Sequence, residues 1–174
     1  MNSFYKHFYN LPTRSLAYIA SALTIVQIGL AVFLYGRSSE AVEWAGWICI
    51  WISAVFGWLP IITFRKKGGV PEGKSYVDTT RLVDSGIYAI VRHPQNGTAW
   101  LLINLGVTLI TWHWSTLLLG ILSMPVVYAD TFRADLRLIE KFGDPYRGYI
   151  NRVPRVNFLL GIIRLLLRQL GTEE

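Results

Sequence analysis

Residues 16–35 read LAYIASALTIVQIGLAVFLY, 20 positions without one charged side chain. A helix of about 20 apolar residues covers the hydrocarbon core of a bilayer. Arg37, Ser38, Ser39 and Glu40 end this run, and a second begins at once: Val42 to Phe64, VEWAGWICIWISAVFGWLPIITF. Glu43 stands at its start, and Trp44, Trp47, Trp51 and Trp58 punctuate it. Pro60 lies near its end, where a kink is expected. Arg65, Lys66 and Lys67 then stop it abruptly. In lipid every backbone polar group must be satisfied within the chain. Two long apolar runs in succession therefore point to an all-α integral membrane protein.

Composition agrees. The 174 residues are 52% hydrophobic and only 16% charged, against a charged share of ~25% in soluble domains. The net charge of +6 would suggest nucleic acid for a soluble chain. Here Lys and Arg are expected in cytoplasmic loops, with the bilayer rather than nucleic acid as partner. Cys49 is the sole cysteine and sits inside an apolar run, so no internal disulfide forms. No Cys/His spacing suggests a metal site. The first ten residues, MNSFYKHFYN, lack the form of a signal peptide, so the first apolar run is expected to be a retained span.

Outward from the first pair, residues 65–98 are polar and glycine-bearing and read as a cytoplasmic loop. Ala99 to Trp112 and Ser115 to Ala129 are two further apolar runs, split by His113-Trp114. A helical hairpin over 94–112 and 114–133 is expected, with Pro94 tolerated in the first turn. From Asp130 the pattern stays helical but turns polar through Arg133, Asp135, Arg137, Glu140 and Lys141. Gly143 is a plausible C-cap. Residues 130–156 are thus expected to form a helical cytoplasmic C-terminal segment. Residues 157–170, NFLLGIIRLLLRQL, set Arg164 and Arg168 four apart, with Asn157 and Gly161 on the same side. An amphipathic helix lying in the membrane interface fits this pattern; a fifth span is the alternative.

The expected architecture is therefore one membrane-embedded domain with four transmembrane helices, or five. Placing both termini and the 65–98 loop in the cytoplasm puts 16 of the 17 Lys and Arg residues inside and only Arg37 outside, as the positive-inside rule demands. The hairpin then brings Arg92-His93-Pro94 near Asp130, Arg133 and Asp135 at the cytoplasmic surface. A pocket there would face lipid on one side and water on the other, which suits an enzyme joining a soluble cofactor to a membrane-bound substrate.

Two motifs flank the hairpin. Leu82 to Pro94, LVDSGIYAIVRHP, contains Gly-x-Tyr, three residues, then Arg-His-Pro. Lys141 to Tyr149, KFGDPYRGY, is followed by Val153-Pro154-Arg155. These resemble the opening and closing motifs of the isoprenylcysteine carboxyl methyltransferase and phospholipid methyltransferase-like membrane enzymes, over about residues 76 to 158. The chain departs twice from that pattern: Asn96 stands where the family usually has Tyr, and Ala134-Asp135 where it usually has two Glu.

The resemblance implies methyl transfer from S-adenosylmethionine to a lipid-like or prenylated amphiphilic acceptor at the cytoplasmic face. Such a transfer is an in-line displacement from an activated donor. It needs positioning and exclusion of water more than acid–base chemistry, and no metal. The implied cofactor pocket includes Val91, His93, Pro94, Asn96, Asp135 and Leu138, with Tyr88, Tyr146 and Tyr149 walling the adenine. His93 would bond the amino-acid end, and Asp135 the ribose hydroxyls or ammonium group. Arg92 presents a planar fork suited to a substrate anion, and Arg133 is a second candidate for that clamp. Arg92 and His93 are the candidate catalytic pair. Asn104, polar within the third span, either packs helices or lines a substrate tunnel. Two other readings stay open. Arg133 and Asp135 also agree with membrane sterol reductases, which would use NADPH, and Asn96 and Ala134 are compatible with a degenerate, non-enzymatic membrane protein.

Overall fold

The computed structural model describes residues 15–171; Lys6 and Arg14, part of the expected cytoplasmic N-terminus, lie outside this range. Among the described residues the chain is helical and contains no strand. Helices α1 (Ser15–Leu34) and α2 (Glu40–Lys67) form the first pair. A long loop follows, containing a 3-10 turn at Gly86–Ala89 and ending in a π-helical turn at Pro94–Ala99. Then come α3 (Trp100–Thr111), α4 (Trp114–Phe142), α5 (Asp144–Arg152) and α6 (Phe158–Leu170).

The elements end where the sequence supplies reasons. Helix α2 carries Glu40 and Glu43 in its first turn and Arg65, Lys66 and Lys67 in its last, matching the helix dipole at both ends. Trp112 closes α3 in the left-handed conformation, with φ of 45°, and its N–H bonds the Thr108 carbonyl. His113 caps α4 by accepting from the Ser115 N–H at 3.3 Å. The hairpin turn is therefore two residues long.

Three helices, α1, α2 and α4, are long and apolar enough to cross a membrane. Their outward faces are hydrocarbon: Phe33 is 82% exposed and Trp51 71%, far more apolar surface than a soluble protein leaves in water. The expected third span differs from a plain helix. Helix α3 has 12 residues, roughly 18 Å at 1.5 Å per residue. The helical backbone reaches back to Pro94 only through the π turn, where the Gly97 and Thr98 N–H groups both bond the His93 carbonyl at 3.1 Å. Helix α4 has 29 residues, roughly 44 Å long, which exceeds the ~30 Å core. A bilayer crossed by α4 would leave part of it clear of the hydrocarbon, and the site is built on its last turns.

Helix α2 packs on α3, and α1 on α4. The first contact is close because Gly46 and Gly106 face each other: a Cβ on either would fall 2.8 Å from the other's carbonyl oxygen. The second is held by a neutral polar cluster. Gln27, fully buried, donates to the carbonyls of Asn104 (3.1 Å) and Thr116 (2.8 Å) and to the Thr108 hydroxyl (3.0 Å). Asn104 donates to Thr24 (3.1 Å) and accepts from Ser123 (3.1 Å). The amphipathic helix α6 begins at Asn157, whose side chain accepts from the Leu160 N–H. It docks through Gly161, where a Cβ would lie 1.9 Å from the Ile90 carbonyl oxygen. Leu159, Ile163, Leu167 and Leu170 remain exposed on its apolar face.

Candidate functional site

The Arg92-His93 backbone is clipped to the segment after α5. The Arg92 N–H bonds the Pro154 carbonyl at 3.0 Å, and the His93 N–H bonds the Arg155 carbonyl at 3.1 Å. These two bonds join the opening and closing motifs, which lie about 60 residues apart in sequence. The Thr98 hydroxyl adds a bond to the Val156 carbonyl at 2.8 Å.

Asp135, near the end of α4 and 3% exposed, is the centre of the arrangement. Its Oδ1 meets His93 Nε2 and the Tyr146 hydroxyl, each at 2.7 Å. Its Oδ2 meets Arg155 Nε at 2.9 Å and Arg92 Nη1 at 3.0 Å. A carboxylate offers about four acceptor positions; three take hydrogen bonds from His93, Tyr146 and Arg155, and the fourth contact is the Arg92 ion pair. The Arg92 contact is an ion pair without in-line hydrogen-bond geometry, so Arg92 Nε and Nη1 remain buried donors with no hydrogen-bond partner. Buried donors of this kind are costly, and a guanidinium still more so.

Above this cluster lies a cavity of about 270 Å³. Arg92, His93, Pro94 and Asn96 line it from the opening motif, Ala134 and Leu138 from α4, and Tyr88, Tyr146 and Tyr149 from the loop and α5. Tyr88 stacks on Phe64, with centroids 4.5 Å apart, and the Tyr149 hydroxyl donates to the Tyr88 carbonyl at 2.6 Å. Burial pushes the phenols of Tyr88, Tyr146 and Tyr149 well above their ordinary range. At Tyr146 the negative Asp135 adds to that rise, so this hydroxyl keeps its proton and donates.

Most of the residues singled out from the sequence thus meet around one cavity. Val91 and Asp135 lie behind its wall, both buried. Arg133 is buried on α4 but does not line the cavity, and Asp130 is buried one turn before it. Asn104 sits in the interhelical polar cluster, away from the cavity. Residues without a role in the sequence reading also enter the site, among them Arg155, Tyr76 and Gln95. Arg155 reaches Asp135 while its guanidinium lies 4.8 Å from the Tyr128 ring and 5.0 Å from the Phe132 ring. Its place in the Val-Pro-Arg motif was the available signal. Tyr76 donates to Gln95 at 3.0 Å, and both line the cavity; no pattern marked either. Among the described residues no His, Cys, Asp and Glu group has the makings of a metal site.

The family model described as phospholipid methyltransferase matches residues 41–134, more than half of the chain, from the start of α2 to Ala134 on α4. No curated protein and no solved structure matches the chain.

Proposed function

We propose that this chain, which belongs to the phospholipid methyltransferase family, transfers a methyl group from S-adenosylmethionine to a lipid-like or prenylated amphiphile at the cytoplasmic face of the membrane. The observation that carries the reading is the 8%-exposed Arg92, which lines a tyrosine-walled cavity and keeps two donors without a hydrogen-bond partner just behind its wall. Those donors suit an anionic group, such as the carboxylate of the cofactor's amino-acid end or a headgroup oxygen of the acceptor. S-adenosylmethionine, when bound, supplies a methyl group already activated on a sulfonium.

The chain's own residues have the remaining work of binding, orientation and water exclusion. Tyr88, Tyr146 and Tyr149 offer flat walls for an adenine, and Pro94, Asn96 and Leu138 complete the enclosure. Arg92 clamps an anion, and His93 presents its ring at the cavity wall. Asp135 is a positioning residue: with its oxygens occupied, it fixes the orientation of Arg92, His93 and Tyr146 rather than meeting the ribose or ammonium group itself. Arg155 and Val91 support this arrangement from behind. Arg133 holds its place on α4, and Asn104 holds α3 against α1.

The proposed topology counts α1, α2, α3 with its π turn, and α4 as four spans, with both termini cytoplasmic and α6 in the interface. The distribution of Lys and Arg supports it.

A thermal-shift comparison of the detergent-solubilised protein with S-adenosylhomocysteine, S-adenosylmethionine and NADPH tests the reading. A ligand that binds only the folded state stabilises it by ~2.7 kcal/mol at a hundredfold excess over its dissociation constant. Stabilisation by the adenosyl compounds alone is expected. Stabilisation by NADPH alone would overturn the methyltransferase reading in favour of a reductase.

A further inference from the structure

A lipid-facing groove of about 460 Å³ runs between α1, α2 and the start of α3, with Thr24, Ile28, Ala54, Gly57, Gln95 and Trp100 among its walls. Its hydroxyls are spent inside the protein. Ser21 donates to the Ala17 carbonyl, Ser53 to the Ala99 carbonyl (both 2.8 Å), and Thr24 accepts from Asn104. The groove therefore offers hydrocarbon along its length. Its one amide is Gln95, which also lines the cofactor cavity and holds the Tyr76 hydroxyl there. The groove and the cavity thus share a wall.

A second lipid-facing groove, between α3, α4 and the start of α6, is larger, about 590 Å³. It has no lining residue in common with the cavity. The Thr98–Val156 bond and the Arg155–Asp135 pair stand between the two.

Building on the methyltransferase reading, we propose that the α1–α2–α3 groove holds the hydrocarbon chain of the acceptor and delivers its head to the cavity past Gln95. Ala54 and Gly57 set the bulk of chain that fits. The space is left open by the sequence: a Cβ at Gly57 would meet nothing within 4 Å. A large side chain at that position fills the groove without pressing on the fold, and an ordinary residue replaces glycine in a helix interior at no cost in helix propensity.

The test uses the full chain in nanodiscs with a phosphatidylethanolamine probe carrying a diazirine close to its headgroup. Cross-links are mapped by mass spectrometry for the parent, Gly57→Phe and, as control in the other groove, Leu105→Trp. Cross-links on Gln95 and Trp100 are expected in the parent and in Leu105→Trp, and at least tenfold fewer in Gly57→Phe. The thermal shift with S-adenosylhomocysteine should be equal in all three. Parent-level labelling of Gln95 and Trp100 in Gly57→Phe, or labelling confined to Met124 and Phe158, would overturn the proposal. Gly57→Val, a smaller plug, serves if the Phe variant does not yield folded protein. Absence of any adenosyl shift in the parent would count against the methyltransferase reading alone, while the cross-link pattern would still decide the groove.

Discussion

The cluster around Gln27 and Asn104 and the cluster around Asp135 are both buried, but only the second carries charge. In the first, amides and hydroxyls from α1, α3 and α4 satisfy one another, and Gln27 Oε1 is its one acceptor without a partner. In the second, one carboxylate faces two guanidinium groups, a histidine and a phenol, and Arg92 keeps two unmet donors. A neutral cluster inside the membrane avoids the large desolvation penalty of ions and serves to fix which helix faces touch. Asp135 is shared between two guanidinium groups, and Arg92 is left without a hydrogen-bond partner on two of its nitrogens. Such a cluster is better completed by a ligand that brings negative charge or lone pairs. On the proposed function, the contrast separates a lock from a receptor.

Asp135→Ala should have the largest effect, because the loss falls on structure and site together. It leaves Arg92 and Arg155 buried without their shared counter-ion and takes the acceptor from His93 and Tyr146. Removing one partner of a buried pair costs about 3–5 kcal/mol. Thermal unfolding in detergent should register that loss, together with strongly weakened binding of S-adenosylhomocysteine. An unchanged unfolding temperature would show that Asp135 is not the centre of the cluster.

Arg92→Ala should separate the two roles. Asp135 keeps Arg155, His93 and Tyr146 in this variant, so the fold should survive. Methyl transfer from labelled cofactor into lipid should fall by about 10²–10³, the range seen when one preorganised donor is removed from a reacting site. Full activity would remove Arg92 from the mechanism.

Gln27→Leu addresses the lock. It deletes three hydrogen bonds, while the Thr108 hydroxyl still donates to both carbonyls, so the cost should be about 0.5–1.5 kcal/mol per bond lost. Binding of S-adenosylhomocysteine should be unaltered. A fall in cofactor affinity as large as that in Asp135→Ala would mean that the two clusters are coupled, and the comparison would fail.

The two clusters were not equally legible in the sequence. The charged one announced itself, because Arg-His-Pro and Asp135 are unusual beside apolar runs and the hairpin length dictates that they meet. Arg155 lay in a quoted motif, yet its contact with Asp135 depends on how the chain turns after α5, which no local pattern encodes. Gln27 passed unnoticed inside the first apolar run, since one amide barely changes the hydropathy of 20 residues. Asn104 was visible as a polar residue but not its partners, because helix rotation decides whether such a group meets another helix or a tunnel. The apolar run after Pro94 foretold a helix but not its π turn, a local widening that depends on two N–H groups sharing the His93 carbonyl. The grooves were beyond sequence reading altogether, for a cavity is set by how helices splay.

Asn96→Tyr should have the smallest effect and sharpens the comparison at the receptor's rim. Asn96 is exposed, lines the cavity and makes no hydrogen bond of its side chain among the described residues. A surface substitution of this kind usually changes stability by no more than about 0.5 kcal/mol, so the fold should not register it. The added ring would enlarge the cavity's aromatic wall where acceptor and cofactor approach each other. The relative rates of methyl transfer to acceptors of different headgroup size should therefore shift, while cofactor affinity changes little. Comparing those rates in parent and variant against one cofactor concentration decides the matter. Unchanged rates would place Asn96 outside the acceptor's path, and a protein that no longer folds would mean that the position is packed by a neighbour rather than open to the cavity.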